Sequence, residues 1–315
     1  MKNVLLTGAT GFLGKHLLSE LNSHGFGVTA LCRNTPNSAA IIPGVRYVSG
    51  DIEDPLSLFD GFSGTELVIH AAALVSMNPA DNHKMYQTNV IGTRNVVNAC
   101  LRAGVKRLIH VSSVAALSGT KKNQVLNEDG VWDGLNAGYG YTKYLAELEV
   151  YRGESEGLEV AIVNPSIILG PGDAHRSSGM IFDFIRRGWP FALEGTANVV
   201  DARDVTQAIV QLADHPSSGE RYILNGFTMN WSHLFTELAA RTGRSIRYYE
   251  IPTGLATGAL WVLEKFLKMI QKSPKITAHA VRMATSGNRY ATDKIVRDLG
   301  FQFRSPESTL DWASS

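Results

Sequence analysis

The chain predicts an α/β fold: a doubly wound parallel sheet with a smaller, mostly helical C-terminal lobe. Three observations carry this expectation. Short apolar runs alternate with stretches of helical spacing as far as Pro165, the pattern of buried strands with helices on both faces. The first run, Asn3 to Leu6, opens at once onto Gly8, Gly11 and Gly14, and helical spacing then follows through Phe12, Leu13, Leu17, Leu18 and Leu21. After Pro165 the character shifts to a glycine- and proline-rich loop, Ile168 to Gly179, and then to shorter helices.

Taken in order, the later strands are expected at Val28–Arg33, Val45–Val48, Leu67–His70, Arg107–Ser112 and Val160–Val163. Helices are expected between them at Pro55–Asp60, Ala80–Ala103 and Asn136–Ser155. Beyond the glycine-rich loop the pattern reads as Met180–Arg187, a strand at Val199–Asp201, a helix at Asp204–Ala213, a strand at Tyr222–Leu224 and a helix at Ser232–Thr242. Residues 1–165 therefore form the sheet domain, with returns from about 197–225, and residues 166–315 an interleaved smaller lobe. Gly254–Ile270 is amphipathic through Leu255, Leu260, Trp261, Leu263, Phe266, Leu267 and Ile270. Lys265 and Lys268 give it too little positive charge for a membrane-surface helix, so a pocket-covering or lobe-packing role is expected.

Composition narrows the function classes. A formal charge of +1 carries no electrostatic footprint for nucleic acid. Cys32 and Cys100 are lone thiols without metal-ligand spacing, which argues against a disulfide framework and a metal site and fits a reducing compartment. The apolar run after Lys2 is shorter than the roughly 7–15 residue core of a signal peptide, and no stretch reaches the roughly 18 apolar residues of a membrane span. The expectation is a cytoplasmic protein that takes a small molecule, without nucleic acid or membrane as partner.

The glycine turn is a candidate phosphate cradle. Gly8 permits the tight turn, Gly11 lets a pyrophosphate approach the backbone, and Gly14 lets helix and strand pack closely. A glycine loop without ligand is the plain alternative. Where the second strand ends, an acidic residue would bond ribose hydroxyls; here the sequence is Leu31-Cys32-Arg33-Asn34, and Arg33 reads as a partner for a 2′-phosphate, favouring NADP over NAD. Asp51-Ile52 follows the third strand, where Asp51 is placed to accept from an adenine amino group or to cap its own loop. Ala71, Ala72 and Ala73 leave room for a cofactor beside the backbone, and His70 is assigned no chemistry. Ser113 ends the fifth strand. Tyr139 and Lys143 stand four apart on one helix face, where an ammonium near a phenol is expected to lower its pKa and make it a usable acid/base.

These features occur in the order shared by the extended short-chain dehydrogenases/reductases, and the chain resembles that family from residue 1 to about 225, with a weaker match at Tyr290–Gly300. The resemblance implies a Rossmann-type NADP-binding domain and a substrate lobe. It implies cofactor contacts at Thr7, Gly8, Gly11, Phe12, Leu13, Gly14, Asp51, Ile52 and the alanine run. It assigns Tyr139 as acid/base, Lys143 as holder of the nicotinamide ribose, Ser113 as binder of the reacting oxygen with Ser112 the structural serine, and Asn89 as a residue bordering the site. Asn164, Pro165 and Ser166 match the segment passing the nicotinamide carboxamide, and Val200–Val205 a return motif read as mostly structural. A homodimer through the helices Ala80–Ala103 and Asn136–Ser155 is also implied.

Within the family, Gly195-Thr196-Ala197-Asn198 lacks the arginine that sugar-nucleotide epimerases and dehydratases place there. Arg33 and the run Asn164-Pro165 to Gly170-Pro171-Gly172 look like the branch of dihydroflavonol-reductase-like and 3β-hydroxysteroid-dehydrogenase-like proteins. The expected activity is hydride transfer between nicotinamide and a carbonyl/alcohol pair. A sugar-nucleotide enzyme and a non-catalytic NADP sensor are the alternatives. His175, Arg176, Ser177 and the region after 225 are expected to select the substrate.

Overall fold

A computed structural model describes residues 2–34, 41–117, 123–130, 132, 138–172, 179–216, 218–269, 281 and 285–315. In chain order it holds β1 (Asn3–Thr7), α1 (Phe12–Ser23), β2 (Gly27–Cys32), β3 (Arg46–Ser49), α2 (Phe59–Phe62), β4 (Leu67–His70), α3 (Asn82–Tyr86), α4 (Gly92–Ala103), β5 (Arg107–Val111), β6 (Val125–Leu126) and α5 (Tyr139–Ser155). There follow β7 (Glu159–Pro165), β8 (Ile167–Leu169), α6 (Gly179–Arg187), β9 (Phe191–Leu193), β10 (Thr196–Asp201), α7 (Ala202–Asp214), β11 (Glu220–Leu224), β12 (Phe227–Asn230), α8 (Trp231–Arg241), β13 (Tyr249–Ile251), α9 (Thr253–Met269) and β14 (Arg289–Tyr290). Helices Asp293–Leu299 and Pro306–Ala313 close the chain.

The main sheet has seven strands in the order β11-β7-β5-β4-β1-β2-β3, every neighbouring pair parallel. Strand order reverses between β1 and β4, and the carboxyl edge at such a switch point is where an open α/β sheet leaves a crevice. β4 and β5 are buried along their whole length, so both faces must be apolar or internally satisfied. One face packs Leu6, Ile69, Ile109 and Val163 under α1 and α7; the other packs Leu5, Val68, Leu108 and Ile162 under α2, α4 and α5.

The expected Rossmann-type core is present, with local differences. The Pro55–Asp60 helix is a 3₁₀ turn, Pro55–Leu58, capped by Asp54 Oδ1 accepting from Leu56 N at 3.1 Å, and it runs into α2. The single helix expected over Ala80–Ala103 changes pitch: a 3₁₀ turn at Pro79–Asp81, then α3, a π-helical turn at Gln87–Ile91, and α4, which stops at Gly104 with φ +69°. The π turn inserts extra residues that a 3.6-residue periodicity does not reveal, and it carries Asn89. The third expected helix starts at Tyr139, after Gly138 with φ +79°; positions 136 and 137 lie outside the described residues.

The second lobe holds more strand than its helical spacing suggested. β10 pairs with β8 in parallel and β12 antiparallel, and β9 pairs with β13. The chain also returns to the first domain beyond residue 225: Ile295 and Phe301 are buried in the core under α1 and α7, and β14 pairs with β6. On α9, Leu255, Trp261 and Leu263 are exposed; Ile270 lies outside the described residues. Among the described residues no helix is long and apolar enough to cross a membrane.

Two glycine substitutions should move stability in opposite directions. A Cβ on Gly14 would overlap Gly8 O and lie 2.8 Å from Ala9 Cα, so Gly14→Ala should lose about 1–3 kcal/mol in urea unfolding. Gly258 in α9 has nothing within 4 Å of an added Cβ, and Gly258→Ala should gain roughly 0.5–1 kcal/mol. An unchanged midpoint in Gly14→Ala would show that the turn relaxes freely.

Candidate active site

At the switch point the turn after β1 presses against the loop after β4. Gly8 has φ +74°, and a Cβ there would lie 2.6 Å from Ala72 N and 2.7 Å from Ala71 C. Gly11 N donates to Gly8 O at 2.9 Å, closing the turn. Gly11 is also the N-cap of α1 and brings no capping side chain, so the first N–H groups of the helix have no side-chain cap among the described residues. Together with the positive end of the helix dipole, this is a built place for a phosphate. Phe12 and Leu13 open α1 half-buried, Phe12 edge-on to His16 with ring centroids 5.2 Å apart.

Thr7 turns inward. It is fully buried, and its Oγ1 bonds His70 Nδ1 at 2.7 Å and accepts from Ala72 N at 3.3 Å, so its side chain is spent on the sheet. Arg33 is exposed at the end of β2 and has no ion pair among the described residues. Asp51 is half-buried; its Oδ1 accepts from Glu53 N at 3.0 Å, a local turn that leaves the second oxygen open. Ile52 is buried against Gly92 of α4, and its carbonyl accepts from Asn95 Nδ2 at 2.9 Å.

The carboxyl ends of β5 and β7 and the first turns of α5 bring Ser113, Tyr139, Lys143 and Asn164 together. Ser113 Oγ accepts from Ala115 N at 3.1 Å and is hydrogen-bonded to the Tyr139 phenol. That bond favours the phenolate. Burial nevertheless pushes Tyr139 up to about 12, with the Ser113 bond opposing. The spacing to Lys143 predicts the reverse, a phenol held low by an ammonium. Burial is the larger influence on the phenol, and Tyr139 is a protonated acid at neutral pH.

Lys143 is almost fully buried. Its Nζ donates to Val111 O at 2.9 Å and lies 3.2 Å from His110 Nε2. Burial lowers it to about 8, opposed by the carboxylate of Glu147 one turn further along α5. Asn89, placed by the π turn, is also buried. Its Oδ1 accepts from Leu74 N at 2.7 Å, and its Nδ2 donates to Leu74 O and Thr142 Oγ1, both at 2.9 Å. Asn89 thus ties the loop after β4 to the helix that carries Tyr139.

Glu147, Arg221 and His110 escaped the sequence reading. Glu147 Oε1 accepts from Ser112 Oγ at 2.5 Å and Asn164 Nδ2 at 2.6 Å, and Oε2 pairs with Arg221 Nη1 at 3.1 Å. Arg221 also donates to Glu128 O, and to Gly130 O at 3.3 Å, in the loop before α5. The spacing Tyr139, Lys143, Glu147 marks one helix stripe and was a usable signal for the glutamate; Arg221, distant in sequence, left none. Asn164 Nδ2 further holds Ser113 O at 2.9 Å, while Asn164 Oδ1 and the neighbouring Ser166 Oγ are buried without a partner among the described residues. Pro165 ends β7 between them. Two unpartnered polar atoms at the carboxyl end of β7 fit an amide-bearing ligand. The return motif is structural: Asp201 caps α7 and grips Arg203, which lies over Trp312 at 4.2 Å, and Asp204 holds Arg304. His175, Arg176 and Ser177 lie outside the described residues.

The NAD dependent epimerase/dehydratase family matches residues 4–225. A Synechocystis sp. chain provisionally named dihydroflavonol 4-reductase is 30% identical over 318 residues, covering 98% of this chain and 91% of its own. Sterol demethylase protein B of Methylococcus capsulatus is 31% identical over 303 residues, covering 94% and 92%. Among solved structures, gox2253 superimposes with TM-score 0.87 at 28% identity over 99% of this chain and 97% of that one. A short-chain dehydrogenase/reductase superfamily protein from Agrobacterium tumefaciens with bound NAD shares the fold, with TM-score 0.77 at 21% identity over 99% and 95%. With the phosphate cradle at the switch point and Ser113, Tyr139 and Lys143 at the sheet's carboxyl edge, the chain belongs to the NAD dependent epimerase/dehydratase family, within the extended short-chain dehydrogenases/reductases, and is an NAD(P)-dependent oxidoreductase.

Proposed function

We propose that this protein is an NADP-dependent reductase that interconverts a carbonyl and an alcohol on a small organic molecule. The observation that carries the reading is the Ser113–Tyr139 hydrogen bond with Lys143 one helical turn away. Gly8, Gly11 and Gly14 would hold the pyrophosphate, Asp51 and Ile52 would border the adenine, and Asn164 Oδ1 and Ser166 Oγ would meet the carboxamide. The bound nicotinamide supplies a hydride. A carbonyl oxygen placed between Ser113 and Tyr139 would draw the Ser113 proton into a hydrogen bond and take the Tyr139 proton as its carbon is reduced. Lys143 would stabilise the phenolate left behind until a proton returns from solvent. A tyrosine protonated at neutral pH suits the reductive direction.

Arg33 supports NADP. Its guanidinium is exposed beside the end of β2, no acid follows that strand, and its planar fork matches a phosphate. The relatives named as reductases favour a carbonyl substrate, whereas a UDP-glucose 4-epimerase from Vibrio cholerae is 25% identical over 293 residues. Thr196 and Asn198 stand where an epimerase of this family would present its arginine, and Asn198 is committed to Asn288 O at 2.8 Å. A homodimer through α3, α4 and α5 is supported by Tyr86, exposed on α3, and by Tyr141 and Leu148, exposed on α5.

Purified protein should oxidise NADPH with at least one member of an aldehyde and ketone panel. Tyr139→Phe should lower that turnover by about 10²–10⁴-fold while NADPH binding, followed by fluorescence, persists; near-normal turnover would end the proposal. Tight NADPH binding with no turnover on any substrate class would favour the sensor. Arg33→Ala should weaken NADPH roughly tenfold or more and leave NADH unchanged. An unaltered preference would remove Arg33 as the selector.

A further inference from the structure

The carboxyl ends of β4 and β5 hold two imidazoles that the proposed reaction does not use. His70 and His110 are register partners on adjacent strands, fully buried, with rings 5.1 Å apart and inclined by 37°. Strand alternation puts both on the face covered by α4 and α5, opposite Ile69 and Ile109.

His70 is satisfied on both sides, and its tautomer follows from its neighbours. Thr93 donates its one hydroxyl proton to Asn89 O at 2.5 Å, so it must accept from His70 Nε2 at 2.9 Å. Thr7 then donates to His70 Nδ1. His110 is different. Lys143 Nζ lies 3.2 Å from its Nε2, and an ammonium only donates, so Nε2 bears the lone pair and Nδ1 the proton. That Nδ1 has no partner among the described residues. A half-satisfied imidazole in a dry interface is unfavourable, and an aliphatic residue such as Leu108, Ile109 and Val111 of the same strand would avoid it. The lone pair toward Lys143 is what the arrangement provides.

We infer that His110 is a positioning residue for Lys143: its Nε2, with Val111 O, fixes two of the three ammonium donors and leaves the third for the ligand side. The charged and titratable groups around Lys143 are Tyr139 and Glu147 on α5, His110 on β5, His70 on β4 behind it, and Arg221 of β11 acting through Glu147. Burial, and then the Lys143 charge, hold His110 well below its ordinary pKa and His70 down to about 3, so neither takes the lysine proton. A neutral acceptor stabilises only the charged form of Lys143, so removing it should carry the lysine pKa further down from about 8. The tautomer stands on geometry alone; the effect on ligand binding rests on the proposed function.

Histidine-selective ¹⁵N labelling with long-range ¹H–¹⁵N correlation across pH 6–7, where Lys143 is an ammonium, tests the tautomers directly, with His110→Phe as the assignment control. The expected result is His110 neutral with its proton on Nδ1 and His70 neutral with its proton on Nε2. An Nε2-protonated or titrating His110 overturns the inference. NADPH fluorescence titrations then read the consequence. Wild-type affinity should fall as pH rises through about 8, and in His110→Phe that fall should begin about one pH unit lower, several-fold weaker at pH 8. His110→Gln, whose Oε1 replaces the acceptor, should restore the wild-type midpoint. A lower melting temperature in His110→Phe with an unmoved pH midpoint would make His110 structural only. If His110→Phe does not fold, the wild-type tautomers still decide; if NADPH does not bind wild type at all, the proposed function fails and the tautomer result stands apart.

Discussion

An ammonium buried between a parallel sheet and a helix sets the terms for the rest of this site. Lys143 has given up its water, and several elements answer for it: a β5 carbonyl, an imidazole lone pair and, one turn on, the Glu147 carboxylate. Glu147 is itself almost fully buried and is tolerable only because Arg221, Ser112 and Asn164 satisfy it. Arg221 then reaches the loop before α5, and Asn164 reaches the carbonyl of Ser113. Charge therefore alternates from Lys143 through Glu147 to Arg221. The serine, the tyrosine-bearing helix and the edge strand β11 are held in one arrangement because unpaired members would be left buried. The geometry of the site is in this sense a by-product of keeping one cation dry.

Much of this was legible in the sequence because it is local. Apolar runs located every strand of the main sheet, the three glycines located the turn, and a four-residue spacing placed Tyr139 and Lys143 on one stripe. What stayed hidden depends on distance or on small departures from regularity. The π turn that aims Asn89 into the site changes helical phase by a fraction of a turn. Arg221 meets Glu147 from a position 74 residues away, and no periodicity predicts such a meeting. The second lobe's strands are as short as three residues, below the length at which alternation is readable. The direction of the Tyr139 shift is hidden for a related reason. Spacing reports that a cation is near, but the depth of burial, which wins here, is a property of the assembled layers.

The two halves of the molecule are fastened to each other by the return of the chain. α7 covers the same sheet face as α1, β11 extends the sheet beside β7, and Ile295 and Phe301 come back from the far end of the chain into that core. Gly170 fits between the Phe12 and Trp312 rings, so the loop into the second lobe, the first turn of the phosphate-facing helix and the C-terminal helix share one contact. A shift in the second lobe is thus felt at the phosphate cradle through packed aromatic rings.

The row of hydrogen bonds through Thr7, His70 and Thr93 has a direction. Ala72 N donates to Thr7, Thr7 to His70, His70 to Thr93, and Thr93 to the carbonyl of Asn89. It begins at an amide and ends at a carbonyl, neither of which gains or loses a proton near neutrality. A proton could not travel along it without reversing every member at once. This row behind Lys143 is therefore no relay for a proton; what it fixes is the orientation of the His70 ring beside His110.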